Sequence, residues 1–415
     1  MAVVPGIYQL RNNHMKKIYQ IIAVGFIAVL SACTSDEPAT DRDNPRKAVE
    51  LTVAEKVVSE DMGEFNTALF KAYAANETKG ENLIISPLSA AMYLSMQANY
   101  CSDETQKQIF KAIGSSDINA LNSFNAKMLA SLGSLDKTAT MSLANAVWYD
   151  RKYSLKQGVE DALSSNFNAE FFPCNPSATE IKEMVNGWIK GKTNGKITDF
   201  YDGNPFMSMV INALYFNAEW KDKFPTGTGK TKEKFFVGEK IYMVPMMYRD
   251  KEPEYLAEGK NFAACRREFG NGAYTCTFIL PDEGCDINDF IKDLSYDDIA
   301  TLEFATKICK LGVPKYEIKG EIDNIHEVFA NLGIKGLGTP LDISIKDSSI
   351  AVKQETYIKI DEDGAEVAAV IGDDVFISYP VLIPSFILNR PFIFMINETS
   401  TNACILMGCI RKFDC

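Results

Sequence analysis

Between two strand-like segments, Thr356–Ile360 and Phe386–Leu388, the chain carries a long run with no helical period. From Val352 to Phe392 it reads VKQETYIKIDEDGAEVAAVIGDDVFISYPVLIPSFILNRPF. Gly364 marks a hinge, the residue at which backbone freedom costs least. Beyond it, Ala365, Val367, Ala369 and Ile371 share one alternation phase, and Glu366, Ala368, Val370 and Gly372 share the other. The first phase carries neither charge nor proline, so the run can become a strand with that face buried. Left outside a sheet, the same segment is an aggregation hazard. A fold for this chain must either carry it as an ordinary edge strand and loop or hold a sheet able to take it in.

The chain has 415 residues, of which 46% are hydrophobic, enough for a large core in one to three domains. Its net charge of −12, with no basic cluster in the body, argues against nucleic acid or an anionic membrane surface as partner. The N-terminus reads as a targeting segment. Met15-Lys16-Lys17 is a basic start and Ile18–Leu30 an apolar stretch too short to span a bilayer comfortably. Leu30-Ser31-Ala32-Cys33 resembles a bacterial lipobox, which would leave Cys33 as the acylated first residue. Residues 1–32 are therefore expected to be a signal peptide, 33–50 a flexible tether and 51–415 a single domain. A lipid anchor places the protein outside the cytoplasm, on a bacterial outer membrane, at the cell surface or facing the periplasm. The ten cysteines are scattered without regular spacing and contain no CxxC pair, which favours mostly buried free thiols.

Residue types weigh against catalysis. The chain holds two histidines, His14 and His326, and a cleaved signal would leave only the second. There is no GxSxG elbow, no dinucleotide or phosphate loop, and no zinc spacing. No metal or cofactor is expected. A carboxylate-pair hydrolase stays open by residue type alone, because fifty-five acids offer many pairs.

Periodicity predicts helices over Val53–Glu77, from Pro87 with Ser86 as cap, over Thr105–Ile113, Asp117–Leu132, Glu180–Lys192, Ile287–Leu294 and Glu321–Leu332. Thr140–Tyr149 and Met207–Phe216 read as buried strands. Strands are then expected at Thr231–Phe236, Ile241–Met247, Glu254–Leu256, Phe262–Glu268, Tyr274–Leu280 and Cys309–Ile318. Pro391–Asn397 and Ala403–Cys409 close the chain. Helices dominate the first half and strands the second, so the class is α+β with one shared core.

In this order the pieces resemble the serpin family over roughly Val53–Phe413. The residues that carry the resemblance are NLIISPLSAAMYLSM at 82–96, VNGWIKGKTNGKI at 185–197 and NALYFNAEWKDKF at 212–224. VPKY at 313–316, LGI at 332–334, NRPFIFMI at 389–396 and ILMG at 405–408 complete them. The resemblance implies helices packed around a large central mixed sheet, additional sheets, and an exposed reactive-centre loop at about 362–390. It also implies a suicide-substrate mechanism: a protease cleaves the loop, which inserts as a strand into the central sheet and traps the acyl-enzyme. The partner is then a target protease, and the protein a monomer. The family's hinge pattern, Glu-x-Gly-Thr-Glu followed by small residues, matches Glu362, Gly364, Ala365, Glu366, Val367, Ala368 and Ala369, with Ala365 in place of threonine. Glu362 and Lys315 match an acid–lysine pair in the breach, the point where the sheet opens, and Trp220 the tryptophan there. Ser86, Ser89 and Asn212 match a hydrogen-bonded shutter beneath the sheet, where Gln354 replaces the histidine of many animal relatives.

The family's spacing from Gly364 puts the reactive bond at Ser378–Tyr379. Counting back from Pro391 gives Pro380–Val381, so the loop is somewhat longer than usual. Ile377–Ser378 suits elastase-like enzymes and Phe376–Ile377 chymotrypsin-like ones. No Arg or Lys lies between Gly364 and Ile387, which disfavours trypsin-like targets. The expected targets are elastase- or chymotrypsin-like serine proteases, or papain-like cysteine proteases. The alternative is a binding protein of the same fold whose loop is only a substrate.

Overall fold

The computed structural model describes residues 43–77, 79–227, 231–322, 325–343, 354–364 and 383–413. Cys33, the hinge residues Ala365, Glu366, Val367, Ala368 and Ala369, and the bond candidates Phe376, Ile377, Ser378 and Tyr379 lie outside the described residues.

Helix α1 (Val53–Asn76) begins at a capping box, in which Thr52 and Glu55 satisfy each other's backbone N–H groups. After the short strand β1 (Leu83–Ile85), Ser86 caps α2 (Pro87–Gln97), whose eleven residues are all buried. A helix apolar on every side belongs in the centre of a large protein. Helices α3 (Asp103–Ile113) and α4 (Ile118–Ser131) follow, and Gly114 ends α3 at a left-handed φ of 73°. Next come β2 (Ala139–Asp150), α5 (Val159–Phe167), β3 (Glu170–Cys174), α6 (Ile181–Lys192) and β4 (Ser208–Ala218).

The second half is mainly strand: β5 (Lys232–Val237), β6 (Lys240–Gly259), β7 (Phe262–Phe269) and β8 (Tyr274–Pro281). Helices α7 (Ile287–Asp293) and α8 (Tyr296–Ala300) lead to β9 (Ala305–Pro314) and β10 (Tyr316–Ile322). Helix α9 (Ile325–Asn331) precedes β11 (Gln354–Ile360), β12 (Ser385–Ile387), β13 (Phe392–Glu398) and β14 (Cys404–Ile410).

The large sheet runs β1-β14-β13-β8-β7-β6-β9-β12, with β5 on β6. Strands β3-β2-β4 form a second sheet and β10-β11 a third, and the walls β4 and β11 approach each other. One apolar cluster joins the helical half to the strand half, from Phe65, Phe70 and Phe124 to Phe278, Phe394 and Met407. A smaller cluster lies where Ile181, Val185 and Ile189 of α6 cover Ala146, Trp148 and Ile211.

Four expectations change. The strand expected over Cys309–Ile318 is two strands in different sheets, broken at Lys315, where the backbone N–H turns to Pro245 O at 2.8 Å. The two strands expected at Ile241–Met247 and Glu254–Leu256 are one, β6, which passes its charged middle on an irregularity at Lys251 (φ 61°). The helix expected from Glu321 starts at Ile325, because Glu321 and Ile322 still pair with Glu355 and Gln354. Strand β2 is continuously buried only over Asn145–Trp148, where α6 covers Ala146 and Trp148, with Met141 buried by itself earlier in the strand. Residues ahead of α1 pack on the same body: Asn44 Nδ2 donates to Asp136 Oδ1 at 2.7 Å, and Val49 is buried, with its N–H on Ser400 Oγ at 2.9 Å.

Candidate functional site

Strand β11 ends in a two-residue hairpin. Asp361 N donates to Gly364 O at 3.1 Å and Gly364 N to Asp361 O at 3.3 Å, with Glu362 and Asp363 at the tip. The chain thereby reverses, and Gly364 bridges antiparallel to Glu219, the residue after β4. Gly364 has a φ of 120°, and a Cβ there would be driven against Ala218 O and Trp220 N. Glycine alone fits this close approach. Among the described residues no ladder joins β4 to β11. The two walls are thus separate strands among the described residues, with Gly364 bridged to the end of one of them.

Trp220 stands at that entrance. It stacks on Phe269 with ring centroids 4.3 Å apart, and its Nε1 donates to Asp361 O at 3.0 Å. Its backbone N–H donates to Asp363 O at 2.9 Å, and that of Phe224 to Glu362 O at 3.0 Å. The structure brings Lys315 Nζ and Glu362 Oε1 to 2.5 Å. This pair forms with the turn already made, so it is compatible with the first rung of an entering strand. Lys223 Nζ adds a longer contact of 3.6 Å to Asp363. Sequence reading did not single out the buried charges behind this entrance, Arg249, Glu254 and Arg267.

Farther down the walls lie the remaining candidates. Gln354 holds the Ser86 backbone at both ends: Ser86 N donates to Gln354 Oε1 at 3.1 Å, and Gln354 Nε2 donates to Ser86 O at 3.2 Å. Glutamine can both donate and accept, so it closes this ring without a histidine. Ser86 Oγ donates to Ile405 O at 2.8 Å and accepts from Ser89 N at 3.1 Å. Asn212 sits apart from this group. Its Nδ2 donates to Asn145 Oδ1 at 2.7 Å, and Asn145 Nδ2 donates to Phe167 O at 2.7 Å. Ser89 Oγ and Asn212 Oδ1 are buried without a hydrogen-bond partner among the described residues.

Among the described residues the thiols are raised by burial, not activated. Cys174, Cys265, Cys276, Cys309, Cys404 and Cys409 are buried and free, and burial pushes the Cys409 thiol up to about 12 and that of Cys309 to about 11. Cys285 is the exposed thiol among the described residues.

A family model described as Serpin (serine protease inhibitor) matches residues 60–412. The human plasma serine protease inhibitor is 28% identical over 393 residues, covering 89% of this chain and 94% of its own. Human corticosteroid-binding globulin is 26% identical over 360 residues, covering 81% and 86%. The crystal structure of the thermophilic serpin Tengpin in its native state superposes with a TM-score of 0.75 at 26% identity, covering 89% of this chain and 96% of that one.

Proposed function

The chain belongs to the serpin family, whose members are generally protease inhibitors, and on that premise we propose that it is a suicide-substrate inhibitor of proteases. The observation that carries the reading is the reversal at Asp361–Gly364, which bridges the end of β4 beside two walls that share no ladder among the described residues. A strand entering there gains backbone hydrogen bonds on both sides and buries alternate side chains, while hydrolysis of the acyl bond competes. The residues that follow suit burial, since Ala365, Val367 and Ala369 are small and uncharged. The reactive bond in this reading is Ser378–Tyr379, with Ile377 and Phe376 as the neighbouring alternatives, and the targets are elastase-like, chymotrypsin-like or papain-like. Cys33 carries a lipid that holds the protein, as a monomer, on a bacterial outer membrane outside the cytoplasm.

A second reading has specific support. One relative is named a corticosteroid-binding globulin, so the same fold can serve a protein named for binding, with the loop only a substrate. The test is to incubate the chain from Thr34 onward with elastase, chymotrypsin, subtilisin and papain, and to run denaturing gels. The inhibitor gives a complex that survives boiling, with a new C-terminus near Ser378. Clean loop cleavage with every protease and no complex would leave the binding reading.

A further inference from the structure

Behind the entrance, three charged side chains lie in the interior. Glu254, Arg249 and Arg267 are 4%, 9% and 3% exposed. Glu254 takes Arg249 Nε on one oxygen at 2.7 Å and Arg267 Nε on the other at 3.3 Å. Each arginine then reaches past the carboxylate to the segment that follows β4. Arg249 Nη1 donates to Lys223 O at 3.0 Å, and Arg267 Nη2 donates to Asp222 O. The Arg267 guanidinium also lies over Phe224 at 4.4 Å and Trp220 at 5.0 Å from the ring centroids.

Two N–H groups of the same segment, 220–224, point the other way, while Lys221 N donates to Glu268 O at 3.0 Å. Trp220 N holds Asp363 O and Phe224 N holds Glu362 O, the two residues at the tip of the hinge hairpin. Carbonyls gripped from behind and N–H groups offered in front make this segment a template for the turn. We propose that Glu254, Arg249 and Arg267 are positioning residues that hold segment 220–224 in the shape that turns the reactive loop's hinge into the sheet.

Two features favour positioning over simple stability. A buried ion cluster is weak as a source of stability, because desolvation offsets most of the attraction. Arg267 moreover keeps Nη1 buried without a hydrogen-bond partner among the described residues, a standing cost that apolar packing would avoid. What an arginine adds here is its planar fork: one edge on the carboxylate, one on the carbonyl, the flat face on the rings. A lysine can keep the ion pair but not the fork.

The inference rests on the inhibitory reading for its purpose, but its geometry can be tested without a protease. Hydrogen exchange read by mass spectrometry follows the amides of 220–224 and of β13–β14 in the full chain from Thr34 and in Arg267→Lys, Arg267→Met and Arg249→Lys. Loss of a charge-assisted bond to a carbonyl is expected to speed exchange at 220–224 by about tenfold in all three variants, with β13–β14 unchanged. Unchanged exchange at 220–224 would overturn the proposal, and so would full protection in Arg267→Lys or an equal rise in β13–β14. In a trapping assay the same variants should release more cleaved inhibitor per complex at an unchanged rate of loop cleavage. If the parent chain traps no protease at all, the inhibitory reading fails, while the exchange result still decides the clamp.

Discussion

At the entrance the two walls of the slot are tied directly to each other, whereas farther down, among the described residues, the hydrogen bonds of Gln354 and of Asn212 stay each on its own side. Trp220 and Phe224, beyond the end of β4, hold the carbonyls of Asp361, Asp363 and Glu362, beyond the end of β11. Lower down, Gln354 on β11 closes on Ser86, and Asn212 on β4 closes on Asn145, and neither reaches the other. Two buried polar atoms there, Ser89 Oγ and Asn212 Oδ1, have no hydrogen-bond partner among the described residues. In the inhibitory reading, the upper end would set where an inserting strand starts and in what register.

The sharpest way to break this contrast is at Gly364. A Gly364→Val variant adds a branched side chain at a φ of 120°, against Ala218 O and Trp220 N. Backbone strain of about 1–3 kcal/mol, before the clash, should cut the fraction of encounters that end in trapping on the order of tenfold. Loop cleavage should continue, as gels with elastase or chymotrypsin would show. Equal trapping by the variant would mean that the turn is not where insertion begins.

Next in size is Gln354→Ala. It strips the partner from the fully buried Ser86 N–H, while Ser86 O keeps the N–H of Ala90, and should lower stability by about 1–3 kcal/mol in denaturant unfolding. Trapping should fall far less than in Gly364→Val, because nothing in this ring crosses the slot. A loss as large as that of Gly364→Val would show that the lower end gates entry too. Smaller again is Lys315→Ala. Its side chain is 31% exposed, so the pair with Glu362 contributes only about 0.5 kcal/mol after screening, a small shift in the unfolding midpoint. A larger cost would show that the pair, and not the backbone bonds, ties the entrance.

The site was legible in part. Ser86 before Pro87 is a cap in any reading, and Gly364 between acidic and small residues is a hinge in any reading. Lys315 and Glu362 could be paired only through the family pattern, since nothing local shows that β10 starts at Tyr316. The buried cluster was not legible because Arg249-Asp-Lys-Glu-Pro-Glu254 looks like a solvated turn. A faint signal existed: Arg267 shares its alternation phase with Cys265 and Phe269, both fully buried. What put Glu254 beside it is the continuity of β6 through Lys251, a tertiary outcome that no local pattern reports.

The smallest effect on the slot is expected from acid acting at the far end of α1. Burial would raise the Glu55 carboxyl, but bonds from Lys127, Ser123 and Thr52 outweigh it and hold the group down at about 2, below its ordinary 4.5. A carboxyl depressed on folding stabilises the folded state fully above its unfolded pKa, and that contribution is lost as pH falls from about 4.5 toward 2. Thermal unfolding should therefore show no contribution from Glu55 to pH dependence between 6 and 8, and a decline below about 4.5 that Glu55→Gln flattens. Across both ranges, amide exchange at 220–224, corrected for its intrinsic pH dependence, should track that of the other entrance amides and not the fraying of α1. If protonating Glu55 loosened the entrance while β13–β14 stayed protected, the two regions would be coupled through α2, and the slot could no longer be treated as two independently built ends.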